Sequence, residues 1–426
     1  RFVGDVFGAP LAIEGLLAFF LESTFLGLWI FGWDRLPKRI HLATIWLASI
    51  GTMLSAYFIL AANSWMQHPV GWRLDPVAHR AVMTDFPAVL TNPTLLVTFP
   101  HTLLASFATA AAFVVAVSAW QLRHHRADHT SGHNTNAAGQ PVPTARESVS
   151  QREVFRPSLR LGLVTLLIAA VGVMISGDAQ ARVMTAQQPM KMAAAEALYD
   201  TAAPASFSLF TIGALDGSRE LYSIRVPGVL SLLATGSPSG EVAGINNVQR
   251  AEAGRYGPGD YRPNVPVAYW TFRIMVGLGL YLGLLSLIGL WLMRGGRTPT
   301  GRWFFLAAMA GLVSPFLANS VGWIFTEMGR QPWAVYGVMR TAAGVSPSVP
   351  AGTVLTSLIV FTVLYGVLAV LDLWLMTRYA RAGAAPTPQP TRPGSAPGSA
   401  SGSGPGAEPG SEPDADESSP PPVFAY

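Results

Sequence analysis

Seven apolar runs, each close to the roughly 20 residues a helix needs to cross a bilayer, constrain this chain more than any other feature. They cover approximately 10–32, 42–63, 98–121, 159–177, 268–293, 303–326 and 352–376. In hydrocarbon every backbone polar group must be satisfied within its own segment, so the pattern predicts an all-α polytopic membrane protein. Composition agrees. Of 426 residues, 50% are hydrophobic and 12% charged, against roughly 25% charged in a soluble domain. The absence of cysteine excludes disulfides, thiolate-held iron–sulfur clusters and Cys-linked haem. The net charge of +4 is dispersed over the connections, and without a basic patch a nucleic-acid partner is not expected.

Cationic residues orient the spans. Arg35, Lys38 and Arg39 follow the first run, Arg123, Arg126, Arg146, Arg152 and Arg156 the third, Arg294, Arg297 and Arg302 the fifth, and Arg378 and Arg381 the seventh. These exits mark the cytoplasmic side, and the connections after runs two, four and six lie outside. The outer connection 64–97, with Trp65 and Trp72, is expected at the membrane interface, where Trp is favoured. The inner connection 122–158 holds His124, His125, His129 and His133 but is rich in polar residues, which predicts a solvated linker rather than a metal site. The outer connection 178–267 is the longest. Its start, 179–203, reads as a helix interrupted at Pro189, followed by strand-like FSLFTI and YSIRV. The Pro, Gly, Ser and acid-rich stretch 382–426 is expected to be a disordered cytoplasmic tail.

The first run, within GDVFGAPLAIEGLLAFFLESTFLGLWIFGW, carries Glu14 and Glu22. A carboxylate at membrane depth costs about 2.5–3.5 kcal/mol on insertion scales, and intramembrane acids usually mark a pathway. On an ideal helix the two stand about 80° apart around the axis and about 12 Å apart along it. They fit a cofactor contact and a proton relay, or two protonated acids hydrogen-bonded to neighbouring helices. Of eight histidines only His101 sits clearly inside an apolar run, near its outer end. Met275 lies at comparable depth in the fifth run, and His plus Met is an axial pair for six-coordinate haem, although Met alone is ordinary core packing. Arg273 needs a counter-charge such as a propionate, or snorkels to the interface.

Glu327 ends the sixth run beside Arg330, Gln331 and Trp333, which fits either a helix-end salt bridge or a cofactor site. Lys191 and Glu196 are five residues apart, not the favoured i,i+4 spacing. By default they belong on a solvated surface, and otherwise they face a ligand. Two function classes remain open on these residues: a haem-bearing redox protein, or a transporter or channel with Glu14 and Glu22 as a cation path.

The motifs GDVFGAPLAIEGLLAFFLEST, VTFPHT, KMAAAE, FRIM and EMGRQPW, in that order, resemble the large haem-bearing subunit I of cytochrome bd quinol oxidases over essentially residues 1–381, leaving out the connection 122–158 and the tail. The resemblance implies a transmembrane haem-binding unit over 1–381, with 178–267 as the quinol loop (Q loop). It implies quinol oxidation at the outer face and reduction of dioxygen to water. The cofactors implied are a low-spin haem b and a high-spin haem b paired with haem d. His101 and Met275 match the axial ligands of the low-spin haem b, with Arg273 beside it. Glu327 matches the acidic ligand of the high-spin haem b, Glu14 the acid at the haem pair, Glu22 the acid on the proton route, and Trp323 a tryptophan beside the haems. Lys191 and Glu196 match the quinol-binding pair. The implied partners are subunit II and a small single-span subunit, in the inner membrane of a bacterium, with a proton motive force built without pumping. The chain opens on Arg1, and the family's first helices carry another haem-ligating histidine. A truncation of roughly two spans is therefore expected.

Overall fold

The computed structural model describes residues 2–130, 145–214, 217–345 and 348–383, with side chains outside 125–151. Seven helices in it are long and apolar enough to cross a membrane. Spans one and two are Gly4–Phe31 and Lys38–Gln67. Spans three and four are Pro93–Thr130 and Ala145–Gln187. Spans five, six and seven are Val265–Leu292, Arg302–Met328 and Ala351–Ala382. Each apolar run falls within one of them, to within a residue at its ends. The helices overrun the runs because polar residues continue the backbone ladder once it leaves the hydrocarbon. Hence the stretch read as an inner linker is helical up to Thr130 and again from Ala145. His133 and the tail beyond residue 383 lie outside the described residues.

Spans three to six form a closed four-helix ring. Span three packs on four and six, and span five packs on four and six, so spans three and five face each other across the diagonal. The inner half of this ring is an apolar core in which Ala108, Ala112 and Val115 of span three meet Leu163 and Leu166 of span four, Leu285 of span five and Ala308 of span six. Span two leans on span three, and span one on span two. At the closest approach of spans one and two, a Cβ added at Gly51 would sit 2.8 Å from the Glu22 backbone nitrogen. Span seven is exposed along its length and is tied to span three by Gln121 Nε2, which donates to the Ala380 carbonyl at 2.6 Å.

The connections expected outside assemble at one end of the bundle. The first contains an antiparallel hairpin, β1 (Trp72–Asp75) and β2 (Arg80–Met83), and a short helix, Phe86–Leu90. Trp65, expected at the lipid interface, is fully buried against Phe7 and Trp72. In the long connection, span four runs to Gln187. A second helix, Pro189–Glu196, then ends on Ala197 in the left-handed region at φ 45°. FSLFTI and YSIRV form the hairpin of β3 (Phe207–Gly213) and β4 (Glu220–Val226), followed by helices Val229–Thr235 and Ile245–Tyr256. After span six, β5 (Trp333–Val335) and β6 (Met339–Arg340) make a small hairpin.

Candidate functional site

The site is built around the eight-residue helix Pro189–Glu196. A solvated surface is the default for Lys191 and Glu196 on sequence grounds, but the structure buries both, at 4% and 1% exposure. The helix is wedged between span five, span four and the helix Ile245–Tyr256, so neither face of it meets water. Five residues on an α-helix turn through about 140°, and the two side chains leave in different directions.

Glu196 points to span five. Arg273 Nη2 donates to its Oε2 at 2.5 Å, and the Ser208 amide donates to the same oxygen at 3.2 Å. The guanidinium is enclosed by the rings of Phe207, Tyr269 and Phe272, with centroids 4.5, 5.1 and 5.3 Å from Cζ. With a side chain 10% exposed, Arg273 does not snorkel, and the counter-charge it needs comes from a protein carboxylate. Its Nε and Nη1 are buried without protein partners. Burial raises the Glu196 carboxyl above the usual range, with Arg273 and the Ser208 amide opposing it.

Lys191 points the other way. Its Nζ donates to Gln67 Oε1 at 3.1 Å and to the Thr326 carbonyl at 3.2 Å, and it lies 5.2 Å from the Phe325 ring centroid. Gln67 Nε2 donates to Asn63 Oδ1 at 2.8 Å, and Asn63 Nδ2 donates to Glu327 Oε1 at 3.1 Å. Glu327 is also paired with Arg330. The helix-end salt bridge is therefore present, and it is one part of a polar chain reaching Lys191. Gly329 permits the approach, because a Cβ there would meet Lys191 Cγ at 2.9 Å. Burial, with Arg330 adding to it, pulls Lys191 down to about 7.

His101 and Met275 occupy the outer half of the ring, on the diagonally opposed spans three and five. The apolar core stops below them. At their level the ring is lined by Ser176, Gly177 and Gly322, all half-buried. Ser176 Oγ donates to the Gly172 carbonyl at 2.7 Å and lies 3.0 Å from His101 Nδ1. A hydroxyl has one proton, so Ser176 accepts from Nδ1–H, which leaves His101 Nε2 with its lone pair. A serine partner that fixes the tautomer is what a metal-ligating imidazole needs. A Cβ at Gly322 would come within 2.9 Å of Met275 Sδ, so glycine clears the thioether's position. An imidazole nitrogen and a thioether on opposed helices, with two unpaired guanidinium nitrogens close by in sequence, suit a haem and its propionates.

In span one the helix opens into a π turn over Glu14–Ala18. A ring closed at i+5 winds less per residue than an α-turn, so Glu14 and Glu22 are rotated by less than the ideal-helix value. Ser55 Oγ donates to Glu14 Oε1 at 2.7 Å. Both acids are half-buried beside one face of span two, where Gly51 and Ser55 are one turn apart. Trp323 is 44% exposed on span six. Sequence reasoning passed over Asn63, Gln67, Ser176 and Ser208. These are uncharged polar residues whose roles depend on long-range pairing, and no local signal marks them.

A seven-span membrane bundle with a histidine and a methionine on opposed helices has the layout of a membrane haem protein. Residues 1–384 match the family of cytochrome bd terminal oxidase subunit I, and the chain belongs to that family. It is 46% identical over 387 residues to cytochrome bd ubiquinol oxidase subunit 1 of Bacillus subtilis, covering 90% of this chain and 77% of the relative. It is 34% identical to cytochrome bd-II ubiquinol oxidase subunit 1 of Escherichia coli, covering 92% and 83%. The solved bd oxidase from Geobacillus thermodenitrificans superposes with a TM-score of 0.72 at 29% identity, over 90% of this chain and 79% of that one. The chain is thus a multi-pass terminal oxidase subunit, an oxidoreductase of respiratory electron transport that works with haem and in complex with a subunit II.

Proposed function

We propose that this subunit oxidises quinol at its outer end and delivers protons from the inner side to the place where dioxygen is reduced. The observation that carries the reading is the Glu196–Arg273 ion pair. It joins the long outer connection to the helix that bears Met275, two residues from Arg273, so the quinol loop and the haem-binding helix are one mechanical unit. His101 Nε2 and Met275 Sδ would hold a low-spin haem b, and Arg273 Nε and Nη1 would meet its propionates. Glu327 and Glu14 would serve a high-spin haem b and haem d pair, with Trp323 beside them. Bound haems supply one-electron carriers and an iron that binds oxygen.

The residues do the rest. Glu196, paired with Arg273, and Lys191, pulled down to about 7 by burial, would be the buried groups that meet a quinol headgroup. Glu22 would take up protons from the inner side and pass them towards Glu14, which Ser55 holds in place. Protons released outside and consumed from inside separate charge without pumping. A small single-span partner and a bacterial inner-membrane location complete the proposal. A cation path along Glu14 and Glu22, the rival reading, gives no role to the His101–Ser176 pair or to the buried outer loop.

Absorption spectroscopy of the purified complex tests this. His101→Ala should remove the low-spin haem b bands while the complex still assembles and the remaining haem bands persist. Full retention of those bands would refute the ligand assignment. Lys191→Ala and Glu196→Ala should mainly raise the quinol KM, and unchanged quinol kinetics would count against the loop's role.

A further inference from the structure

On its outward side Lys191 borders a small polar compartment that the reading above does not use. The far wall of the compartment is Glu252, on the helix Ile245–Tyr256. Glu252 is 5% exposed. Tyr336 Oη donates to its Oε1 at 3.1 Å, while Oε2 is buried without a partner of good geometry, the Trp333 indole N–H being the neighbouring donor. Arg330, 6% exposed, lines the same space, and its Nε and Nη1 are also buried without partners. Unmet buried donors and an unmet buried acceptor around one space call for a polar occupant, and the space has room for about one water molecule.

The walls are aromatic. Trp333 stacks on Tyr261 at 5.6 Å and meets Tyr256 edge-on at 4.9 Å, and Arg340 lies over Tyr261 at 4.6 Å. The compartment therefore has cations at its inner end, a carboxylate at its outer end, and dry sides between. On the helix Ile245–Tyr256, Arg250, Ala251, Gly254 and Arg255 are exposed, so one face of the helix that carries Glu252 meets the outer solution.

We propose that Glu252 is a proton-relay residue of quinol oxidation, taking a proton from the Lys191 side through a bound water and releasing it outside. This rests on the quinol reading above. Quinol loses two electrons to the oxidase's own acceptor and two protons. Each proton in turn converts the Glu252 carboxylate to the acid, and its loss to the outer solution restores the carboxylate before the next. The groups facing Glu252 are Arg255 and Tyr256 on its own helix, Tyr336 and the Trp333 indole N–H beside it, and Tyr261, Lys191 and Arg330 around the compartment. Burial raises the carboxyl above its usual range and the Tyr336 hydrogen bond opposes this, which suits a group that must both take and give a proton.

The test compares two electron donors on the intact oxidase complex. Quinol releases protons on oxidation, whereas N,N,N′,N′-tetramethyl-p-phenylenediamine gives one electron and no proton. Glu252→Gln is expected to keep the haem spectrum and diamine-driven oxygen uptake, to lower quinol-driven kcat on the order of 10²-fold, and to be partly rescued in Glu252→Asp. Equal losses with both donors would show a structural role and overturn the proposal, as would quinol turnover matching the parent protein. If the parent oxidises the diamine but no quinol, the underlying quinol reading fails first. Tyr336→Phe supplies a second readout should Glu252→Gln fail to assemble. Losing the hydroxyl raises the Glu252 carboxyl further, so the acid limb of the quinol pH profile should move to higher pH. An unmoved limb would overturn the relay.

Discussion

Arg273 Nη2 donates to Glu196 Oε2 at 2.5 Å, joining two residues 77 positions apart, at 10% and 1% side-chain exposure. The pair holds the outer loop against span five, and both members are desolvated.

Cutting that pair should show the cost of an orphaned charge. Arg273→Leu is expected to destabilise the complex by about 3–5 kcal/mol, because it leaves the buried Glu196 without its cation. Arg273→Leu combined with Glu196→Leu should cost far less than the two single changes added together. Thermal unfolding of the four proteins measures the coupling, and strict additivity would show that the pair carries none.

Gly322 tests the thioether ligand without touching it. In Gly322→Ala the new Cβ would lie 2.9 Å from Met275 Sδ, so the thioether must move. The low-spin haem bands should shift or broaden. Gly279→Ala, with nothing within 4 Å of its Cβ, should leave the spectrum intact. Identical spectra for both variants would argue that Met275 is only packing.

Gly51 sets the spacing of the two helices that hold the acids. In Gly51→Ala the Cβ meets the Glu22 backbone nitrogen at 2.8 Å, and backbone cannot rotate aside. Overpacking of this kind costs about 1–3 kcal/mol. Gly27→Ala, in open surroundings, should be neutral or slightly stabilising through helix propensity. Melting temperatures that do not separate the two variants would contradict the close approach.

Lys191 and Glu252 should tilt stability with pH in opposite directions. Lys191 falls from 10.5 to about 7 in the fold. The unfolded chain therefore holds more protons between those values, and this residue's contribution grows as pH rises from about 7 towards 10.5. Glu252 is raised from 4.5. The folded chain holds the extra proton, so its contribution is greatest below 4.5 and is lost as pH rises through the raised value. Lys191→Met should flatten the alkaline rise in melting temperature, and Glu252→Gln should flatten the fall above 4.5. Unchanged pH slopes in both variants would mean that neither group is as desolvated as it stands here.

What the sequence determined by itself was set by hydrophobicity and length. Seven runs too apolar for water gave seven helices, and the ordered motifs around Glu14, His101, Lys191, Arg273 and Glu327 were enough to indicate the family. Even local irregularities were partly legible: Pro189 restarts the helix after span four, and FSLFTI and YSIRV pair as strands. Only the tertiary structure decided which groups meet. Lys191 and Glu196 look like surface residues because polar side chains usually are, and their burial comes from two spans and one other helix closing over them. Arg273 could have reached for solvent, but Glu196 arrives from the outer loop to neutralise it. Ser176, Gln67, Asn63 and Glu252 carry no local signature, since a hydrogen bond between distant segments leaves no period in the chain. The π turn at Glu14 was also unreadable, because it changes the winding of a helix without changing its composition. Burial of apolar area is a sum over residues and can be read in one dimension. Pairing of polar groups depends on directions and distances between segments, and those exist only once the helices have packed.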